Sequence, residues 1–296
     1  MRPDHTLTTR VGSLTLRVPR IRNSQFSAEM FARFQRSEQA FILPTMEMMV
    51  NGVSIRKVEH ITRKLCGEEY SKSTVSELWK ELDPLITAWN CRPLSESEYP
   101  FLIVDALVIT IRENHRVRSR SAILAIGINQ HGYREVLGLQ IGDCESENSW
   151  SVFFIWLKVR GLLGVDLVTS DDHQGLKNVI PTQLQGAIWQ RCQTHFRKNT
   201  VDVTPKALQE EIHSRVRGIF EAADLANARL LCSQTLNEYG VKAPKAMEVF
   251  EQGFDDATAV LKSSREISHQ IPHTNGIERL NQEICRRERV TRICQL

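Results

Sequence analysis

The chain has 296 residues, 41% of them hydrophobic and 25% charged, the balance of a folded protein with room for one large domain or two ordinary ones. Its 38 lysines and arginines against 35 aspartates and glutamates leave a net charge of +3, only a slight lean toward a polyanionic partner. Seven scattered cysteines (Cys66, Cys91, Cys144, Cys192, Cys232, Cys285 and Cys294) speak against a disulfide framework. No signal-peptide run opens the chain and no stretch approaches the ~18 apolar residues of a membrane span, so a soluble cytoplasmic protein without a membrane partner is expected.

"VGSLTLRVPRI", residues 11–21, alternates apolar and polar positions and predicts a strand, ended by Pro19 and the Arg20/Arg22 pair. Residues 26–50 are helix-like, with Phe31, Phe34, Phe41 and Leu43 on a core face. In residues 50–86, Val53, Val58, Ile61 and Leu65 lie near helical spacing. Cys66-Gly67 ends that helix, and Ser71 or Ser73 caps a second one carrying Val75, Leu78 and Leu82. Two helices around a glycine-containing turn outline a helix-turn-helix, and Arg56, Lys57, Arg63, Lys64, Lys72 and Lys80 would contact phosphates. An ordinary helical hairpin with solvated lysines has the same pattern.

"RPLSESEYP", residues 92–100, reads as a linker. Three strands follow, "FLIVDALVITIRE", "RSAILAIGIN" and "REVLGLQIG", spaced as an antiparallel meander. "SENSWSVFFIWLKVRGL" is a helix with Trp150, Phe153, Phe154 and Leu157 inward. The strand "VDLVTSD", a helix from about His173 and the strand "AIWQRC" come next; residues 196–268 are helical, and "IPHTNGIERLNQEICRRERVTRICQL" closes with a capped, basic helix. The order β-β-β-α-β-α-β before a helical stretch and a last helix predicts an α/β, ribonuclease-H-like mixed sheet with a helical insertion, preceded by a β-plus-helical N-terminal region.

Asp105 stands within the apolar strand "LIVDALV", where an ionised carboxylate needs a cation or a pairing arginine such as Arg112 or Arg120. Asp171 and Asp172 leave the later strand together, followed by His173 and the turn residue Gly175. If the two strands are neighbours, Asp105 and Asp171 reach one end of the sheet, and two or three carboxylates there would suit Mg²⁺. Glu278 sits beside the Ile277, Leu280, Ile284 stripe of the last helix, three residues after Asn275, where a capping box is an equal reading. Cys192 and His195 form a Cys-x-x-His pair that lacks two further ligands for a zinc site.

In this order "TRVGSLTLRVPRIR", "VNGVSIRKV", "SKSTVSELWKELD", "DALVITIRE", "REVLGLQIGDCESENSW", "VRGLLGVDLVTSDDHQGLKN", "WQRCQTHFRKN", "VTPKA" and "TNGIERLNQEICRR" resemble the Mutator-type family of bacterial insertion-sequence transposases. The resemblance implies a DDE-type polynucleotidyl transferase with Asp105, Asp171 and Glu278 as catalytic metal ligands. Cys192 and His195 match the family's Cys-x-x-His signature near the site. It further implies Mg²⁺ (with Mn²⁺ as a substitute), two-metal cleavage and 3′-OH strand transfer, terminal inverted repeats and target DNA as partners, a homodimer on DNA, and nucleoid association. The segments expected on this basis are 1–92 for DNA binding, 93–195 for the first part of the core, 196–268 for the insertion and 269–296 for the glutamate helix. Asp172 falls where the family has a small residue, which selects Asp171 as the ligand and leaves Asp172 to cap a helix or face solvent. Gly276 replaces a usual proline, and the text departs from the family soon after Val290. Truncation at both ends is therefore expected, and a catalytically impaired remnant that only binds DNA is the alternative.

Overall fold

The computed structural model describes residues 5–9, 12–16, 44, 46–48, 50–66, 72–113, 116–142, 144–262, 275–291 and 294–295. They fall into two compact units, residues 1–89 with 284–296, and residues 90–283. Among them no helix is long and apolar enough to cross a membrane.

The first unit opens with a hairpin of β1 (His5–Thr9) and β2 (Gly12–Leu16), pairing Leu7 with Leu14. The single strand predicted over 11–21 is thus, in its described part, the second arm of a hairpin; "TLTT" ahead of it alternates too, and the pairing closes around Gly12. The predicted helix with Phe31, Phe34, Phe41 and Leu43 lies outside the described residues. Helix α1 (Ile55–Cys66) buries Val58 and Thr62. Helix α2 (Lys72–Asn90) runs on through Pro84 and exposes Leu85, Ile86 and Trp89. The connecting residues 67–71, with Gly67 and Ser71, are outside the described set.

In the second unit the proline- and serine-rich run 92–100 is packed. Leu94 and Tyr99 are buried, the Leu94 amide donates to the Arg160 carbonyl at 2.6 Å, and the Tyr99 hydroxyl donates to Glu135 Oε2 at 2.7 Å. Its apolar anchors Leu94 and Tyr99, five positions apart, pack into the core that covers the sheet, which is why it is no loose linker. Strands β3 (Phe101–Glu113), β4 (Arg116–Ile128) and β5 (Arg134–Gly142) form the antiparallel meander. Helix α3 (Glu147–Val159), β6 (Leu167–Ser170), helix α4 (Gln174–Gln183) and β7 (Ile188–Arg191) follow. The sheet runs β5-β4-β3-β6-β7, with β6 parallel to β3 and β7 parallel to β6; the fold is mixed α/β on a mixed sheet.

Alternation along β3 and β4 sends side chains to both faces of the sheet, and both are covered. Leu102, Val104, Ile123 and Ala125 meet Trp150, Phe153, Phe154 and Leu157 of α3 and Leu176, Val179 and Ile180 of α4. Ser146 starts α3 with a capping box closed by Ser149, and the i, i+3, i+4, i+7 spacing of its buried residues sets its inward stripe. On the other face Phe101, Ile103, Leu124 and Leu167 meet Val260 and Leu280. Helices α5 (Gln193–Asp202), α6 (Gln209–Phe220), α7 (Leu225–Tyr239) and α8 (Pro244–Ala257) share a separate core around Phe196, Val216, Tyr239 and Phe250. Phe196 stacks on Phe250 with centroids 5.8 Å apart. Helix α9 (Asn275–Thr291) brings Leu280 back to the sheet.

Candidate active site

The parallel pairing of β3 with β6 matches Ile103 to Thr169. Two residues further on, where β6 has ended, are Asp105 and Asp171, and the negative charge of one acts on the other. Asp105 Oδ1 accepts the Ala106 amide at 2.9 Å, and Oδ2 accepts the side-chain amide of Asn281. Burial pushes the Asp105 carboxyl above its ordinary range; the Ala106 and Asn281 hydrogen bonds and the charge of His195 oppose that, and the Asp171 charge adds to it. Of the two arginines considered for Asp105, Arg120 pairs with Glu113 and Arg112 is exposed.

The Cys-x-x-His pair is explained by how β7 hands over to α5. The Cys192 amide donates to the Ser170 carbonyl at 2.6 Å, so α5 starts beside the exit of β6. One turn in, His195 Nδ1 lies 2.9 Å from Asp171 Oδ1, close but outside hydrogen-bond alignment. Contact with Asp171 first, then with Cys192, pushes the His195 imidazole up to about 11, so it is a cation at neutral pH. Cys192 is buried. Among the described residues, no group of three or more His, Cys, Asp or Glu side chains is arranged around one point as a metal cage.

Asp172 neither caps α4 nor simply faces water. It pairs with Lys177 Nζ at 2.9 Å and Arg191 Nη1 at 3.2 Å. Lys177 also reaches Asp256 of α8 at 3.2 Å and lies over the Trp189 ring. The cap of α4 is His173, whose Nδ1 accepts the Leu176 amide at 3.3 Å. Glu145 Oε1 is 3.7 Å from that same nitrogen, and the cap is the better description because Nδ1 is already an acceptor. Gly175 is no turn residue but part of the first turn of α4; a Cβ there would stand 2.8 Å from the Glu147 amide nitrogen, so α3 and α4 start in close contact only because it is glycine.

Glu278 belongs to α9; its side chain, and with it the capping box to Asn275, lies outside the described residues. Asn281 follows it by three residues, about one helical turn. Asn281 and Glu145 are the neighbours of the aspartates that sequence reasoning missed. The Glu145 carboxyl is raised by burial, lowered by His173, and raised by Asp105 and Asp171. The spacing of Asn281 marks it as a neighbour of Glu278 but not of Asp105, and nothing in the spacing of Glu145 marks it; only tertiary packing brings them to the aspartates.

In the first unit Arg56, Lys57, His60, Arg63 and Lys64 of α1 are all exposed. At about 100° per residue they share one side of the helix, opposite buried Val58 and Thr62. Lys80 is exposed on α2, and the Lys72 side chain lies outside the described residues.

Comparison with known proteins gives a consistent picture. The family model described as "Transposase, Mutator family" matches residues 2–294. The transposase for insertion sequence element IS256 in transposon Tn4001 of Staphylococcus aureus is 43% identical over 98% of this chain and 75% of its own length. The transposase for ISRM5 of Rhizobium meliloti is 39% identical over 97% and 72%, and that for IS1081 of Mycobacterium tuberculosis 36% identical over 96% and 69%. Among solved structures, the Drosophila P element transposase strand transfer complex aligns over 86% of this chain and 74% of its own, at 11% identity and a TM-score of 0.40. On the family match and these identities, the chain belongs to the Mutator family of transposases.

Proposed function

We propose that the chain is a DDE-type polynucleotidyl transferase on a ribonuclease-H-like fold, which cuts DNA at the terminal inverted repeats of an insertion sequence and joins the freed 3′-OH to target DNA. The observation that carries this reading is the parallel β3–β6 pairing, which sets Asp105 of β3 beside Asp171 where β6 ends. The strand order β5-β4-β3-β6-β7 supports the fold.

The donors fit a hard divalent cation. Asp105 and Asp171 offer carboxylate oxygens only, and burial disfavours the Asp105 charge until a cation meets it. Asp105 and Asp171 would hold Mg²⁺, or Mn²⁺ in its place, with Glu278 of α9 as the third ligand. Bound there, the metal supplies activation of the attacking oxygen and neutralises charge on the leaving oxygen. The chain's own residues do the positioning. The Ala106 amide and Asn281 fix the orientation of Asp105, and cationic His195 holds Asp171 and faces the phosphate with positive charge. The basic side of α1 suits backbone phosphates. Water is the first nucleophile and the released 3′-OH the second, and paired ends call for a homodimer.

End cleavage and joining on inverted-repeat oligonucleotides with Mg²⁺ or Mn²⁺ test the reading. Asp105→Ala, Asp171→Ala and Glu278→Ala abolish both steps, whereas Asp172→Ala retains them. Full activity of Asp171→Ala beside an inactive Asp172→Ala would overturn the assignment, and no cleavage by the unaltered chain would overturn the function.

A further inference from the structure

The β3–β4 hairpin runs on past its pairing with β5 and β6. Pairing with β6 ends at Ile103 and pairing with β5 ends at Ser121, while β3 and β4 stay paired out to Glu113 and Arg116. Residues 107–120 therefore extend beyond the stretches paired with β5 and β6. This arm holds four arginines, Arg112, Arg116, Arg118 and Arg120, against the single acid Glu113, so it carries as much net charge as the entire chain. Arg120 is paired with Glu113, but Arg112, Arg116 and Arg118 are exposed, as are Val108 and Val117. Ile109 and Ile111 are buried, so the arm is not solvated all round.

We propose that this arm is a second DNA-contacting element, gripping the backbone of the same duplex that is cut at Asp105 and Asp171; the proposal rests on the DNA-cleaving reading above. A paired β-hairpin has the width to lie in or along a major groove. In the cross-strand register Arg116 and Arg118 lie on the face of Ile111, and Arg112, opposite Val117, lies on the other, so that arginines on both faces of the hairpin can meet the two phosphate lines flanking a groove. Arg118 is paired with Ile111, six residues beyond Asp105, a rise of about 20 Å along the strand. At about 3.4 Å per base pair, the arm meets the duplex about six base pairs from the cleaved bond. A solvated strand end does not require three exposed arginines within seven residues.

The test uses the full chain and a fluorescent duplex carrying a terminal inverted repeat, with binding followed by anisotropy across NaCl concentrations. Combining Arg112→Ala, Arg116→Ala and Arg118→Ala weakens binding and flattens the slope of log affinity against log salt by about 2.7, at ~0.9 per lost phosphate contact. The corresponding triple lysine variant restores the slope, and circular dichroism checks that both variants fold. Hydroxyl-radical footprinting loses protection about six base pairs from the cleavage point. An unchanged slope in the alanine variant, with the unaltered chain binding and cutting normally, overturns the arm and leaves the function standing. Failure of the unaltered chain to bind or cut any duplex overturns both.

Discussion

Replacing Asn281 by alanine probes the tie between α9 and β3. Asn281 donates to Asp105 Oδ2, and a hydrogen bond to a charged group contributes about 1.5–3 kcal/mol. The pair is part-buried, so the lower end applies, about 1.5 kcal/mol, or roughly 3–6 °C in melting temperature for a domain of this size. The sign of its pH dependence follows from Asp105, whose carboxyl is raised in the folded state by burial. A raised carboxyl binds its proton more tightly folded than unfolded, so it lowers stability progressively as pH rises from the unfolded value to the folded one. Removing the Asn281 donor raises Asp105 further and extends that loss to higher pH. Thermal melts of both proteins between pH 4 and pH 8 should therefore diverge as pH rises and converge in acid, where Asp105 is protonated. The acid limb of DNA cleavage should shift to higher pH in the variant. Equal melting temperatures throughout, or a gap that is the same at both ends of the range, would show that Asn281 does not support the ionised carboxylate.

Gly175→Ala places a Cβ against the Glu147 backbone and should destabilise by about 1–3 kcal/mol, seen as a lower urea midpoint with an unchanged slope. Phe154→Ala opens a cavity at a fully buried site between α3 and the sheet and should lose about 3–5 kcal/mol in chemical denaturation. Glu135 is pushed up by burial, but hydrogen bonds from Arg92 and Tyr99 more than offset this and hold it below its ordinary value of 4.5. Its stabilisation is present above that value and fades as pH falls through the folded one. Glu135→Gln should therefore reduce stability at neutral pH by under about 1 kcal/mol for so exposed a pair, read as a lower melting temperature, with the gap closing in acid.

Much of the second unit is legible in the residues. The apolar runs of β3 and β4 and the Trp150, Phe153, Phe154, Leu157 stripe of α3 carry their own periodicity, because each element must bury a face whatever its neighbours are. The hairpin at the N-terminus and the packed run 92–100 were less legible: short alternating segments suit either one strand or two, and a proline-rich stretch reveals its anchors only when Leu94 and Tyr99 have something to meet. Around the aspartates the limits are sharper. Local sequence ranks Asp171 and Asp172 equally, and the distinction arises because Lys177, Arg191 and His195 come from three other elements.

The sequence by itself determined most of the elements, the aspartate within β3 and the pair at the exit of β6 and, through motif order, the family. Tertiary structure alone decided which groups touch those carboxylates. Asp171 received His195, Asp172 its two cations, and Asp105 the amide of Asn281, 176 positions away in the chain. It also decided that the β3–β4 hairpin runs on past its pairing with β5 and β6, because strand length follows from one segment's residues whereas the extent of pairing depends on where the adjacent strands stop. Periodicity is a local property set by burying one face, and ion pairing is a non-local one set by packing.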